Sequence, residues 1–171
     1  VLVTGGAGYV GGVSVDVILA AGHDVVVLDD LTTGHVAIVP PGAHLVRGTY
    51  GNEEAVQDIL EDEGIDAILH CAARSLVGES VRDPAKYYRD NVAGGVALLE
   101  AMKASGVGKL VFSSSATVYC PGNRPMDEDH PVAPSNPYGR TKLMLEDIIT
   151  DAVAAGAIES ALSLRYFNPV G

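Results

Sequence analysis

Positive charge is scarce in this sequence: 11 Lys and Arg stand against 22 Asp and Glu, for a formal net charge of −11 over 171 residues. No basic stripe is available to neutralise a phosphate backbone, which argues against nucleic acid as a partner. Long apolar runs are missing as well. None approaches the roughly 18 residues of a membrane span, and Val1-Leu2-Val3-Thr4 has neither the basic flank nor the apolar stretch of a signal peptide. These absences predict a cytoplasmic protein without a membrane partner. Cysteine is limited to Cys71 and Cys120, with no CxxC or Cys/His ligand spacing, so two reduced, non-catalytic thiols are expected. His23, His35, His44, His70 and His130 are scattered without HExxH-like pairing. Structural or surface roles are expected for them, and no metal site.

What is present is an apolar fraction of 47%, enough for one substantial core. Residues 1–171 are expected to form a single dinucleotide-binding domain. The sequence opens without methionine inside an apolar strand and stops just after another, which suggests truncation at both ends. β-Branched Val1–Thr4 reads as a buried parallel strand, followed by glycine-rich Gly5–Gly12. Val13, Val17, Ile18 and Ala21 fall at helical spacing, Gly22 supplies a stop, and Val25–Leu28 is the next strand. The alternation continues with strand His44–Arg47, helix 52–63 closed by Gly64, and strand Ala67–His70. A long helix over 85–104, strand Leu110–Ser113, helix 137–155 and strand Ala161–Arg165 complete it. Pro121, Pro125, Pro131, Pro134 and Pro137 make 120–137 a surface loop. Strands alternating with helices predict an α/β fold, a doubly wound parallel sheet with right-handed crossovers.

The run Thr4–Gly11 fits GxxGxxG between a strand and a helix. Bare backbone at Gly5 and Gly8 would let a pyrophosphate approach the helix N-terminus, where amides and the helix dipole favour anions. Tyr9 and Val10 belong to the same turn and are counted with the cofactor-binding residues. Gly11 would let helix and strand pack closely. Asp29 ends the second strand about 20 residues beyond the glycines, where an acid reads the ribose hydroxyls of an adenosine, and Asp30 adds a second charge. No arginine occurs between Asp29 and Arg47, so a 2′-phosphate would meet uncompensated repulsion; NAD is expected rather than NADP.

Tyr138 and Lys142, one helical turn apart, share a face of the predicted helix. A phenol has a pKa near 10, and a neighbouring ammonium favours the phenolate, as would the positive nicotinamide ring; roughly three units of lowering would make Tyr138 a usable base near neutral pH. Ser115 follows the predicted strand at 110–113, at the sheet end where ligands of such folds sit, and could share a substrate hydroxyl with Tyr138. Ser113 and Ser114 are expected to serve turn or capping roles.

With these residues in view the chain resembles the extended short-chain dehydrogenase/reductase superfamily and, within it, the UDP-glucose 4-epimerase family. The matching runs are TGGAGYVGG at 4–12, VVVLDDLTTG at 25–34, VGESVRDPAKYY at 77–88, FSSSATVY at 112–119, NPYGRTKLMLE at 136–146 and LRYFNPVG at 164–171. The resemblance implies an NAD-dependent isomerase. Tyr138 would remove the proton of the sugar 4-hydroxyl with help from Ser115, while Lys142 lowers the Tyr138 pKa and holds the nicotinamide ribose. Hydride would pass from C4 to NAD, the 4-keto sugar would rotate, and the hydride would return to its other face. Asn91 and Tyr166 would border the nicotinamide, and Asn168 would contact the UDP phosphates. The resemblance also implies a homodimer built on the helix at 85–104 and the Tyr138 helix, and a smaller C-terminal substrate domain largely absent from these residues. Sequence departs from the family at Thr49-Tyr50, where an Asp and an aliphatic residue are usual, at Ser75, where a lysine is common, and at Cys120, where a glycine is usual. Sugar 4,6-dehydratases carry an Asp-Glu pair where this sequence has Ser115-Ala116. Other nucleotide-sugar epimerases and a non-catalytic NAD-binding module remain as alternatives.

Overall fold

The computed structural model describes residues 1–123 and 125–170; Gly171, which closes the LRYFNPVG run, and Arg124 of the proline-rich loop lie outside them. Six strands form one sheet: β1 (Leu2–Thr4), β2 (Val26–Asp29), β3 (His44–Arg47), β4 (Ala67–His70), β5 (Lys109–Ser113) and β6 (Ser160–Leu164), in the order β3-β2-β1-β4-β5-β6. Every pairing is parallel. The expected doubly wound sheet is therefore present, and the order reverses between β1 and β4.

Side chains alternate across the strands and so feed two cores. On one face Leu2, Val26, Leu28, Ile68, Leu110 and Phe112 pack with residues of helices α2 (Glu53–Asp62), α5 (Gly94–Ser105) and α6 (Pro137–Ala154). On the other, Val3, Val25 and Val27 meet Val15, Ile18 and Leu19 of α1 (Tyr9–Ala20). Full burial of an aliphatic side chain is worth about 1.5–3 kcal/mol, and Leu98 and Met102 of α5, at 1% and 0% exposure, anchor the larger core. Local signals set the ends. Asn52 caps α2 by accepting from Ala55 N–H, and Asn136 caps α6 by accepting from Gly139 N–H, with Pro137 in the first turn.

The single helix expected over 85–104 is one helical path in three parts: α4 (Pro84–Tyr87), a π-helical turn (Tyr88–Ala93) and α5. Just before it lies α3 (Val77–Arg82), too short to leave a periodic signature. Tyr87 ties the two together, because its buried hydroxyl accepts from Leu76 N–H at 3.0 Å. The proline-rich loop is pinned by an antiparallel bridge between Tyr119 and Val132. No helix among the described residues is long and apolar enough to cross a membrane.

Gly5 and Gly11 fit strand to helix where the first crossover begins. Gly5 has φ +73° beside the backbone of Ala72, and a Cβ on Gly11 would stand 2.2 Å from the Gly5 carbonyl oxygen. Gly11→Ala is therefore expected to lower unfolding stability by about 3 kcal/mol, the upper range for overpacking. Gly22→Ala, at φ +86° with nothing within 4 Å of the added carbon, should cost about 1 kcal/mol from the left-handed backbone alone. Urea unfolding of both variants checks the order; equal losses would contradict the packing role of Gly11.

Candidate functional site

A cleft of about 670 Å³ opens at the carboxyl ends of β1, β2, β4 and β5, where the strand order reverses, and it is lined by both the glycine turn and the Tyr138 helix. At one end Gly8 caps α1 without a side-chain hydrogen bond and no acid stands in the first turn. A helix start of this kind favours an anion, and Gly5, Gly8, Tyr9, Val10 and Gly11 all line the cleft. A pyrophosphate fits this donor set.

Asp29 also lines the cleft, 8% exposed, but its carboxylate has local work: Oδ2 accepts from Ala7 N–H at 3.0 Å and Oδ1 from Leu31 N–H at 2.9 Å. It clamps the glycine turn to the bend after β2, where Leu31 takes φ 59°. Each oxygen retains a second lone pair for a ribose hydroxyl. Asp30 accepts from Thr32 N–H and Oγ1–H at 2.9 and 2.7 Å.

The expectation that a 2′-phosphate would meet uncompensated repulsion needs correction. Arg74, from the loop after β4, donates to Asp90 Oδ2 at 3.0 Å and to Thr32 Oγ1 at 3.1 Å, and its guanidinium lies 3.8 Å from Asp30 Oδ2. Its side chain spans the cleft wall, shared between two carboxylates. Arg89 also pairs with Asp90, at 3.1 Å; three acids, Asp29, Asp30 and Asp90, against two cations leave the neighbourhood negative, so a 2′-phosphate is still disfavoured, though by less than the sequence implied. Asn91 stands behind this wall and does not line the cleft. Its Oδ1 accepts from Arg74 N–H at 2.8 Å, and its Nδ2 donates to Arg74 C=O at 3.0 Å and to Thr141 Oγ1 at 3.1 Å. The amide fixes the β4 loop and α6 relative to each other. Tyr50, at a departure from the family, lines the cleft and donates to Asp90 C=O at 2.6 Å.

Ser115, Tyr138 and Lys142 come together at the other end. Ser115 lines the cleft beside Tyr138, and its Oγ accepts from Thr117 N–H at 3.2 Å and from Thr117 Oγ1–H at 2.9 Å. Lys142 is 3% exposed; its Nζ donates to Ser113 C=O at 2.8 Å and lies over the rings of Phe112 and Tyr138, 4.7 and 5.9 Å from their centroids. Burial lowers Lys142 to about 8, opposed by the nearby Cys71 and Glu146. The expected depression of Tyr138 is not produced by the chain's own groups. Burial raises the phenol above its ordinary value, and the hydrogen bond from Ser115 opposes that rise. The phenol is therefore neutral at pH 7, because the desolvation of a phenolate outweighs what its neighbours return.

Tyr166 lines the cleft beside Ser113, whereas Asn168 is exposed and only its neighbours Phe167 and Pro169 line it. Cys71 lies on the cleft floor near Lys142, and burial pushes its thiol up to about 11, as expected of a non-nucleophilic cysteine. Both cysteines are free. His70, buried and stacked on Phe112, pairs with Thr4 Oγ1 at 2.7 Å; burial holds it neutral, down to about 3. Among the described residues no group of three His, Cys, Asp or Glu could hold a metal. Arg74 and Glu146 were missed from the sequence, since neither carries a local motif.

Comparison with known proteins gives concordant findings. The model of the NAD dependent epimerase/dehydratase family matches residues 1–171. The chain is 49% identical over 172 residues to a UDP-glucose 4-epimerase of Lactobacillus helveticus, covering 100% of this chain and 52% of that protein. The crystal structure of a Brucella ovis UDP-glucose 4-epimerase in complex with NAD superposes with a TM-score of 0.93 at 39% identity, over 98% of this chain and 51% of that one. A Bifidobacterium longum UDP-glucose 4-epimerase in complex with NAD+ and UDP gives 0.93 at 36%, over 99% and 53%. The chain spans about half the length of the relatives it matches.

The buried ammonium makes stability depend on pH. Unfolding returns Lys142 from about 8 to 10.5, so between those values the unfolded chain binds more protons and stability rises with pH. Below pH 8 the full burial cost of the charge is present, about 3 kcal/mol. The hydrogen bond to Ser113 offsets about 1–2 kcal/mol of it. Lys142→Met is expected to unfold at higher urea than the wild type at pH 7 and to lose that advantage by pH 10.5. An advantage independent of pH would contradict the shift.

Proposed function

This chain belongs to the NAD dependent epimerase/dehydratase family, and from that premise we propose that it is the dinucleotide-binding domain of a cytoplasmic UDP-glucose 4-epimerase, an isomerase of UDP-glucose and UDP-galactose. One observation carries the reading: Ser115, Tyr138 and Lys142 stand at the sheet end that also holds the glycine turn, in one continuous cleft. When bound, NAD supplies a hydride acceptor that can give the hydride back and a positive ring that favours a nearby phenolate.

The chain's own residues handle the proton and the orientation. Ser115 and Tyr138 stand together in the cleft and converge on the sugar 4-hydroxyl; as the phenolate that a bound positive ring would favour, Tyr138 would accept its proton as the C4 carbonyl forms and return it afterwards. Lys142 stands beneath Tyr138 as a buried ammonium and faces the nicotinamide ribose. The glycine turn holds the pyrophosphate, and Asp29 and Asp30 face the adenosine ribose with the remaining lone pairs of Asp29. Tyr166 borders the nicotinamide side of the cleft; Asn91 acts one layer behind it through Arg74. Asn168 awaits the UDP phosphates from an exposed position beside the cleft rim.

Binding energy from the uridine and sugar orients C4, and much of the polypeptide that supplies it lies in the half of the relatives that this chain does not cover. A homodimer is supported by exposed apolar side chains on neighbouring helices: Leu76, Val77 and Val81 at α3 and Met144 on α6. The contact in this proposal runs over α3 and α6, since α5 keeps most of its apolar side chains in the core. The role in galactose metabolism follows from the substrate pair.

In the full-length protein, a coupled assay of UDP-galactose conversion is expected to show turnover that Tyr138→Phe lowers by about 10²–10⁴-fold, with dinucleotide still bound spectroscopically. Wild-type turnover in that variant would contradict the assignment, and conversion absent from the wild type while dinucleotide binds would favour a binding module.

A further inference from the structure

Beyond the Ser115–Tyr138–Lys142 set, one buried charged group lies next to the site without a role. Glu146 follows Lys142 by one turn on the same face of α6 and is 7% exposed. Its carboxylate accepts from Ser114 Oγ–H, the middle residue between Ser113, whose carbonyl accepts from Lys142, and Ser115, which lines the cleft with Tyr138. Arg165, just after β6, holds it from the far side with Nε 3.1 Å from both carboxylate oxygens and Nη2 2.6 Å from Oε2. Arg165 in turn lies over the Tyr119 ring, 4.9 Å from its centroid.

Two consecutive serines thus dock on two successive turns of α6, with Ser115 next to them. We propose, resting on the functional reading above, that Glu146 is a positioning residue: it seats the Ser113–Ser115 segment against α6 through Ser114 and keeps an anion facing the Lys142 ammonium. The groups that face Lys142 are Tyr138 and Glu146 from α6, His70 and Cys71 from the end of β4, and Phe112 with the Ser113 carbonyl from β5, with Tyr166 beyond Cys71. His70, Cys71 and Tyr138 are all neutral at pH 7. Glu146, paired at two points with Arg165, is the acidic side chain among these groups.

The test uses the full-length protein and follows the Lys142 side chain by ¹⁵N NMR, its signal identified by loss in Lys142→Arg. Glu146→Gln removes the charge, and Lys142 is expected to titrate about one pH unit lower. Ser114→Ala severs the seat but keeps the charge: the titration should stay in place, while kcat for the UDP-sugar falls about tenfold with KM unchanged. If Glu146→Gln fails to fold with Arg165 unpaired, Glu146→Gln combined with Arg165→Met leaves no orphan charge and is titrated instead, with the same expectation. An unmoved Lys142 titration in the folded charge variant, or wild-type kcat in Ser114→Ala, overturns the proposal. Should the wild type turn over no UDP-sugar, the functional reading fails, and the NMR titration still decides whether Glu146 governs Lys142.

Discussion

Ser113 and Ser114 give polar groups to successive turns of α6, a carbonyl to Lys142 and a hydroxyl to Glu146, and Ser115 beside them lines the cleft with Tyr138. The docking of the end of β5 on one face of α6 fixes the distances among the groups proposed to act on substrate. It also explains why the contact must be polar although it is buried. A strand end leaves carbonyls without ladder partners, and the helix supplies donors and an acceptor at matching intervals. The large core beneath, centred on Leu98, Met102, Leu145 and Ile149, holds the two elements together so that the polar layer need not do so alone.

The electrostatics follow from burial more than from pairing. Lys142 is pressed down to about 8 and Tyr138 is pushed above its ordinary value, both first by desolvation. Each shift favours the neutral form. The polypeptide by itself thus stores a neutral acid next to a weakly held cation, and a positive ligand charge brought into the cleft would be felt strongly because little water is present to screen it. On the adenosine side the arrangement differs. Asp29, Asp30, Arg74 and Asp90 form a partly exposed network in which carboxylates outnumber cations, and its main product is geometric: the bend after β2 and the loop after β4 are tied across the cleft.

Features encoded by local spacing were legible in the sequence. The strand–glycine–helix junction, the pairing of Tyr138 with Lys142 one turn apart and the placing of Ser115 after a strand all depend on residues close in the chain, and all three stand in the cleft. Features made by distant encounters were not legible. Arg74 meets Thr32 across 42 positions, and Asn91 meets Thr141 across 50, so nothing near either residue announces the contact. The same limit hid the role of Ser114, read as turn chemistry until Glu146 appeared opposite it. The π-helical turn at Tyr88–Ala93 escaped because its residues keep helical spacing on both sides. The rise that burial gives the Tyr138 phenol was not legible either, because spacing shows which charges are near but not how much water has been removed.

The account stands on a phenol that burial keeps protonated until a positive charge joins it. The direct measurement is the tyrosinate absorbance of the full-length protein as a function of pH, taken as wild type minus Tyr138→Phe, first free of dinucleotide and then saturated with NAD. The difference signal should rise with a midpoint above 10 in the free protein and shift to lower pH with NAD bound. A midpoint near 7 in the free protein would show that Lys142 alone ionises the phenol and would contradict the account.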